Sequence, residues 1–304
     1  MDNPLDCLVI GAGPAGLTAA IYLARFHLRV RVLDAGDSRA ALIPRTRNHA
    51  GFPEGISGPD LLARMREQAR QFGAVITPAR VDRLERAGER FRAWSGELAV
   101  EARAALLATG VVNRRPPIDP ETHDAALAAG LLRYCPICDG YEVTDRKIAV
   151  IGTGSHGCRE AIFLRMYSAD VTLIAPDAAH RLDSPDRAKL AELGIAAVDG
   201  PCVPLRIDGR RIVVPTPGAA AGFDTVYPAL GSDIRSELAV QLGARASEDG
   251  CIVVDAHQRT SIARLYAAGD VVKGLDQISH AMGEAGVAAT TIRNDLAEEC
   301  TFAR

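Results

Sequence analysis

Two glycine turns of the same form, each between an apolar strand run and a helix, constrain this chain more than any other feature. The first is Gly11-Ala12-Gly13-Pro14-Ala15-Gly16. It follows Cys7-Leu8-Val9-Ile10, opens an apolar helix that runs through Arg25, and leads to the strand Val30-Arg31-Val32-Leu33-Asp34. The second is Gly152-Thr153-Gly154-Ser155-His156-Gly157, after Lys147-Ile148-Ala149-Val150-Ile151. Its helix is expected to run through Met166 and its second strand to span Asp170-Val171-Thr172-Leu173-Ile174. One G-x-G-x-x-G is weak evidence. Two, each inside a βαβ pattern, predict two dinucleotide-type units.

The expected fold class is therefore α/β, with two Rossmann-like, three-layer ββα nucleotide-binding domains, the second inserted into the first. Ala104-Ala105-Leu106-Leu107-Ala108-Thr109-Gly110 reads as a buried strand ending in glycine, and Arg114-Arg115-Pro116-Pro117 reads as a crossover. Val226-Tyr227-Pro228-Ala229-Leu230-Gly231 closes the second unit in the same way. The remainder is too short for a third nucleotide domain. It holds Leu265-Tyr266-Ala267-Ala268-Gly269-Asp270 and a small-residue helix from Gln277 to about Leu296. The expected division is residues 1–113 and 232–304 for the first domain and 114–231 for the inserted one.

Gly11 permits the tight turn, Gly13 lets backbone approach a pyrophosphate, and Gly16 lets helix and strand pack closely. The free N–H groups and positive end of the helix then face the phosphates. Asp34 closes the second strand and can accept hydrogen bonds from a ribose diol, which suits FAD or NAD. In the second unit the equivalent position is Ala175, followed by Pro176 and Asp177, so the ribose carboxylate is gone and no basic group replaces it. His180 and Arg181 lie a few residues on. The alternatives for Arg181 are a nucleotide contact and a solvated loop residue.

Between the two units stands Tyr134-Cys135-Pro136-Ile137-Cys138-Asp139-Gly140-Tyr141-Glu142. A C-x-x-C pair at the first turn of a helix can close a small redox-active disulfide, and a helix N-terminus favours the thiolate. Asp139 can exchange the proton that thiol–disulfide chemistry needs, or satisfy helix donors. No second C-x-x-C or H-x-x-H pair completes a zinc site, so no metal is expected. Seven cysteines in 304 residues are too few for a disulfide scaffold, and an intracellular, cytoplasmic setting with mostly free thiols is expected. Cys300 is open to a tail redox role. His280 stands one helical turn after Gln277, so both can approach a flavin ring beside Gly269-Asp270; a structural histidine is the other reading. The net charge of −3 supplies no basic field for nucleic acid or an anionic membrane. An acidic start without a basic n-region argues against a signal peptide, and no run of about 18 apolar residues spans a bilayer.

These motifs resemble, nearly end to end and in order, the low-molecular-weight thioredoxin reductases and their relatives. The likeness covers the first glycine turn, Asn48 to Gly58, Ala108-Thr109-Gly110, Cys135 to Gly140, the second glycine turn, Ala268-Gly269-Asp270 and Gln277 to Ala289. The resemblance implies FAD in the first domain and NADPH or NADH in the inserted one. It further implies a homodimer, a thioredoxin-like partner or small disulfide, and a rotation between domains that shows the disulfide to flavin and substrate in turn. It assigns Cys138 to the flavin side, Cys135 to attack on the partner disulfide and Asp139 to acid–base work. It places Asp270 on the ribityl chain and Gln277 near the pyrimidine edge. Cofactor contact is implied for Gly11, Gly13, Pro14, Ala15, Gly16, Asp34, Asn48, Val81, Ala108, Thr109, Gly110, Gly269, Ile278 and His280, and at the second turn for Gly152, Gly154, Gly157 and Arg181.

Two departures leave alternatives open. The family's His-Arg-Arg run for NADPH falls on Ala175-Pro176-Asp177, with only Arg181 matching its later arginine. Gly140-Tyr141-Glu142 resembles instead the dithiol oxidases that close natural-product disulfides, though those carry His where this chain has Asp139. Oxidation of a dithiol at the expense of oxygen, reduction by a donor such as ferredoxin, and a non-catalytic redox sensor are the competing expectations.

Overall fold

The computed structural model describes residues 5–202 and 204–298, and Cys300 lies outside them. In chain order the strands are β1 (Leu5–Ile10), β2 (Val30–Asp34), β3 (Val75–Pro78), β4 (Arg83–Ala87), β5 (Arg90–Ser95), β6 (Leu98–Leu107), β7 (Val111–Asn113), β8 (Ile148–Ile151), β9 (Val171–Ile174), β10 (Ala196–Val198), β11 (Arg206–Asp208), β12 (Arg211–Thr216), β13 (Ala219–Phe223), β14 (Thr225–Pro228), β15 (Ser232–Ile234) and β16 (Leu265–Ala267). The helices are α1 (Pro14–Arg25), α2 (Gly58–Gln71), α3 (Pro120–Ala128), α4 (Pro136–Asp139), α5 (Gly154–Leu164), α6 (Ser184–Glu192), α7 (Glu237–Gln241) and α8 (Ile278–Ala297).

The first sheet runs β3-β2-β1-β6-β5-β4, and β16 also pairs with β6. β1 is parallel to β2 and β6, and β16 is parallel to β6 at Ala105–Leu107. β6 shows why its sequence changes character along its length. Its first half, Leu98-Ala99-Val100-Glu101-Ala102, pairs antiparallel with β5 and alternates between exposed and buried. Beyond Arg103, Ala104–Leu107 is fully buried beside β1 and, from Ala105, β16, and reads as unbroken apolar residues. Helices α1, α2 and α8 cover one face through Leu17, Leu23, Leu62, Ala285 and Ile292. Ala239 of α7 and the segment holding Ile252 and Val271 cover the other.

The second sheet, β10-β9-β8-β14, is wholly parallel. Cys158, Ala161, Leu164 and Leu190 of α5 and α6 pack on one side. The antiparallel meander β11-β12-β13 and α3 pack on the other through Ile212, Val214, Phe223 and Ala126. All its strands lie in sequence between β6 and β16 of the first sheet, so the chain has two Rossmann-like units with one threaded into the other. β7 and β15 pair antiparallel, Ser232 against Asn113, where the chain leaves one sheet and later returns.

The caps separate the helices into two groups. Ser57, Asp119 and Asp183 accept from backbone N–H groups at the starts of α2, α3 and α6. No side chain caps α1, α5 or α8. Their first N–H groups are therefore left for something other than their own chain. α5 stops at Leu164, two residues short of the expected end, because Arg165, Met166 and Tyr167 donate in tight i→i−3 bonds that close it.

A disulfide at the end of a long cavity

A cavity of about 960 Å³ lies against the first sheet, near the top of the roughly 300–1,000 Å³ range of ligand clefts. Its wall includes Gly11, Gly13, Pro14 and Ala15 of the first glycine turn, Asp34, and Cys135, Cys138, Asp139 and Gln277. Asn48, Val81, Ala108, Thr109, Gly110, Gly269, Asp270 and Ile278 line it as well. Tertiary folding thus brings most of the expected flavin residues to one continuous surface.

The glycines at the first turn are required by close approach. A Cβ on Gly16 would sit 1.9 Å from the Gly11 carbonyl oxygen, and one on Gly11, whose φ is +102°, 2.3 Å from that of Ala108. Asp34 Oδ1 accepts from the Ala12 N–H at 3.2 Å, and Oδ2 pairs with Arg66 at 3.0 Å. At the far side Asp270 pairs with Arg39 at 3.1 Å. Burial pushes its carboxyl above the ordinary value, and Arg39 opposes that. Thr109 donates to the Arg235 carbonyl, and the Gly269 N–H donates to Glu284. An uncapped helix, a glycine turn, an acid closing β2 and a cavity of this length together fit FAD.

Cys135 and Cys138 form a disulfide, with Sγ–Sγ at 2.07 Å and Cα atoms 5.2 Å apart. Cys135 is the N-cap of α4 and Cys138 lies within its single turn. The Gln277 Nε2 stands 3.3 Å from the Cys135 sulfur and 3.2 Å from that of Cys138. Asn48 Nδ2 donates to Gln277 Oε1 at 2.9 Å and so fixes which end of the amide faces the sulfurs. His280 behaves otherwise. Its Nε2 lies 3.1 Å from Glu284, and the ring is absent from the cavity wall although it follows Gln277 by one turn. The spacing put it on the right helix end, while Glu284, four residues on, draws it away.

Asp139 sits in a half-buried polar knot. Its Oδ2 pairs with Arg133 at 2.8 Å and its Oδ1 accepts from the Tyr227 hydroxyl at 2.8 Å. Burial raises its carboxyl above the usual range, with Glu142 adding to this, while Arg133 and Tyr227 pull it down. Sequence reasoning missed Arg133, Tyr227, Arg39 and Arg66, all of which act across tertiary contacts. For Tyr227 a signal existed: a hydroxyl in a fully buried strand needs a buried partner.

At the second turn, a Cβ on Gly152 would meet Ala229 at 2.9 Å and one on Gly157 would meet Gly152 at 2.8 Å, the same close packing as in the first unit. Ala175 is buried. The His180 side chain is turned inward, with Nε2 at 3.2 Å from the Leu173 carbonyl. Arg181 is exposed, and its N–H donates to Thr153 Oγ1 at 2.8 Å, which lays its loop against the turn. Glu160 on α5, paired with His156 at 3.3 Å, is pushed up to about 7 by burial. The turn fits a dinucleotide backbone, but no cation replaces the missing run at residues 175–177.

A sequence profile of the pyridine nucleotide-disulphide oxidoreductases matches residues 5–285. A thioredoxin reductase of Mycolicibacterium smegmatis is 34% identical, with 88% of each chain covered. Among solved structures, HlmI superposes with a TM-score of 0.90 at 30% identity, covering 98% of this chain and 94% of that one. A thioredoxin reductase from Streptococcus pyogenes gives 0.89 at 25% identity, covering 98% and 100%.

Proposed function

The chain belongs to the pyridine nucleotide-disulphide oxidoreductase family, and from that membership and its site we propose that it is a thioredoxin-reductase-like flavoprotein that reduces a thioredoxin-like protein or a small disulfide. The observation that carries this reading is that the Cys135–Cys138 disulfide lines the same cavity as the first dinucleotide turn. FAD bound there supplies two-electron chemistry next to the sulfurs. Gln277 and Asn48 orient the disulfide against that space. By the family resemblance Cys135 is the sulfur that attacks the partner, and Cys138 the one that would exchange electrons with the flavin. Asp139, held between Arg133 and Tyr227, moves the proton.

Residues 1–113 and 232–304 serve as the FAD domain and 114–231 as the domain that carries the cysteines and a nicotinamide turn. A rotation at the paired β7 and β15 connections presents the disulfide first to flavin and then to partner. The reading includes a homodimer working in the cytoplasm. Among the described residues no helix is long and apolar enough to cross a membrane. The reverse reaction, dithiol oxidation, is not favoured, since the named thioredoxin reductases share both the sequence and the fold.

The test is anaerobic. The flavoprotein is mixed with NADPH and, separately, with NADH, and the visible flavin absorbance is followed, then a thioredoxin-like disulfide is added. Bleaching by either, followed by recovery on adding the disulfide, is expected and identifies the donor. Bleaching by a small dithiol alone, with neither nucleotide effective, overturns the reductase reading.

A further inference from the structure

His123 is the only fully buried histidine among the described residues, and nothing in the proposed chemistry uses it. It lies on α3, and both ring nitrogens are engaged. Nδ1 is 2.9 Å from Asp124 Oδ1, and Nε2 is 3.0 Å from the hydroxyl of Tyr134. Tyr134 is the residue directly before Cys135. It lines the long cavity and also a second, smaller one of about 260 Å³, which His123 reaches as well.

The partners decide the tautomer. An ionised Asp124 can only accept, so Nδ1 carries the proton. Nε2 of the neutral ring is then an acceptor, and the Tyr134 hydroxyl must donate to it. The phenolic oxygen keeps its own lone pairs for the cavity. The result is a continuous carboxylate–imidazole–phenol line from an exposed acid, through a buried ring, to the residue that adjoins the attacking sulfur.

We propose that Asp124, His123 and Tyr134 form a proton relay for disulfide exchange at Cys135, with Tyr134 as the group that meets the substrate sulfur and His123 and Asp124 as positioning residues behind it. The proposal rests on the disulfide-oxidoreductase reading above. In the forward step the Cys135 thiol of the reduced enzyme gives its proton to the Tyr134 oxygen as Tyr134 passes its own to His123 Nε2, so the ring becomes an imidazolium. The Cys135 thiolate attacks a substrate R–S–S–R′, the S–S bond breaks, and R′–S⁻ takes the Tyr134 proton as the imidazolium returns its proton to the phenol, so R′–SH departs and the ring is neutral again. Cys138, its thiol proton taken up by Asp139, then attacks the Cys135 sulfur, closing the enzyme disulfide and releasing R–S⁻, which leaves with that proton as R–SH. All three relay residues sit on the stretch leading to Cys135, so the relay travels with the sulfur if the two units rotate. Asp139 occupies a separate knot with Arg133 and Tyr227.

The charged groups around the relay are few. Asp124 faces the ring from α3 itself. Arg115 lies near Tyr134, and Arg39, Arg235 and Asp37 wall the smaller cavity opposite, with Arg235 bonded to Asp37 at 2.9 Å. From the packed meander, Arg206 and Asp208 face each other at 3.9 Å.

The experiment compares two substrates in single turnovers of the pre-reduced holoenzyme: bis(hydroxyethyl) disulfide, whose alkyl thiolate needs a proton to leave well, and an aromatic dithiobis-nitrobenzoate, whose thiolate leaves unprotonated. Y134F, H123Q and D124N are tested. D124N changes an exposed side chain, so it keeps the test valid if a buried variant fails to fold. The expected result is a fall of about 10²-fold with the alkyl disulfide in Y134F and H123Q, at the low end of general acid–base contributions, and a fall in D124N through the wrong tautomer. The aromatic disulfide rate stays at the wild-type value. Equal losses with both substrates mean a merely structural pair and overturn the relay, as does no loss with either. Wild-type enzyme that reacts with neither disulfide nor with a thioredoxin-like disulfide overturns the oxidoreductase reading itself.

Discussion

Replacing Tyr227 by Phe isolates one bond in the half-buried knot around Asp139. The ring stays, so the packing of this fully buried side chain between β8 and its neighbours is kept, and only the hydroxyl that donates to Asp139 Oδ1 at 2.8 Å is lost. A hydrogen bond to a charged group contributes about 1.5–3 kcal/mol, and one to a neutral group about 0.5–1.5. The loss therefore depends on whether Asp139 is ionised. Burial already holds its carboxyl above the ordinary value, and removing a donor to the charged form raises it further. A carboxyl raised in the folded state contributes stability that is complete below the unfolded value of about 3.9 and lost as pH rises through the folded value. The variant should thus be destabilised by about 1.5–3 kcal/mol at neutral pH, where Asp139 pairs with Arg133, and by the smaller neutral-bond amount in acid. Denaturant unfolding of both proteins at several pH values measures this. The acid limb of disulfide turnover should also move to higher pH. A loss that is the same at pH 7 and in acid would refute the argument that Tyr227 bonds a carboxylate.

Gly16→Ala places a methyl 1.9 Å from a backbone oxygen that cannot retreat. It should cost at least about 1–3 kcal/mol and lower flavin content, whereas Gly283→Ala, at an exposed position of α8 with nothing within 4 Å, should stabilise by up to about 1 kcal/mol; thermal melts and flavin-to-protein ratios check both. Burial pushes the Cys158 thiol up to about 11 and raises Cys7, Cys202 and Cys251. Mild reduction and iodoacetamide at neutral pH should therefore label Cys135 and Cys138 ahead of these four, and mass spectrometry finding Cys251 labelled as fast contradicts this. Cys138→Ser should abolish disulfide turnover while keeping bound flavin; turnover at the wild-type rate removes the redox assignment.

Local pattern carried the reading wherever a function is built from consecutive residues. The two glycine turns, the C-x-x-C helix start and the fully apolar strands all depend on contacts a few residues apart. Asp34 at the end of β2 and Gln277 at the start of α8 were legible for the same reason. The sequence could not show that Asp34 would meet Arg66 or that Asp270 would meet Arg39, because nothing local pairs them. His280 marks the opposite limit: its helical spacing was read correctly, but Glu284 competes for the ring.

The sequence by itself determined two dinucleotide units, one nested in the other, with a dithiol pair between them. Backbone sterics at glycine, strand burial and cysteine spacing are properties of short segments. Only the tertiary structure decided that the Gln277 amide stands against both sulfurs. It alone decided that Asp139 meets Arg133 and Tyr227, and that a phenol, an imidazole and a carboxylate line up behind Cys135. Charge placement and proton affinity depend on neighbours brought together by packing two sheets and their helices, and that information is spread over the whole chain.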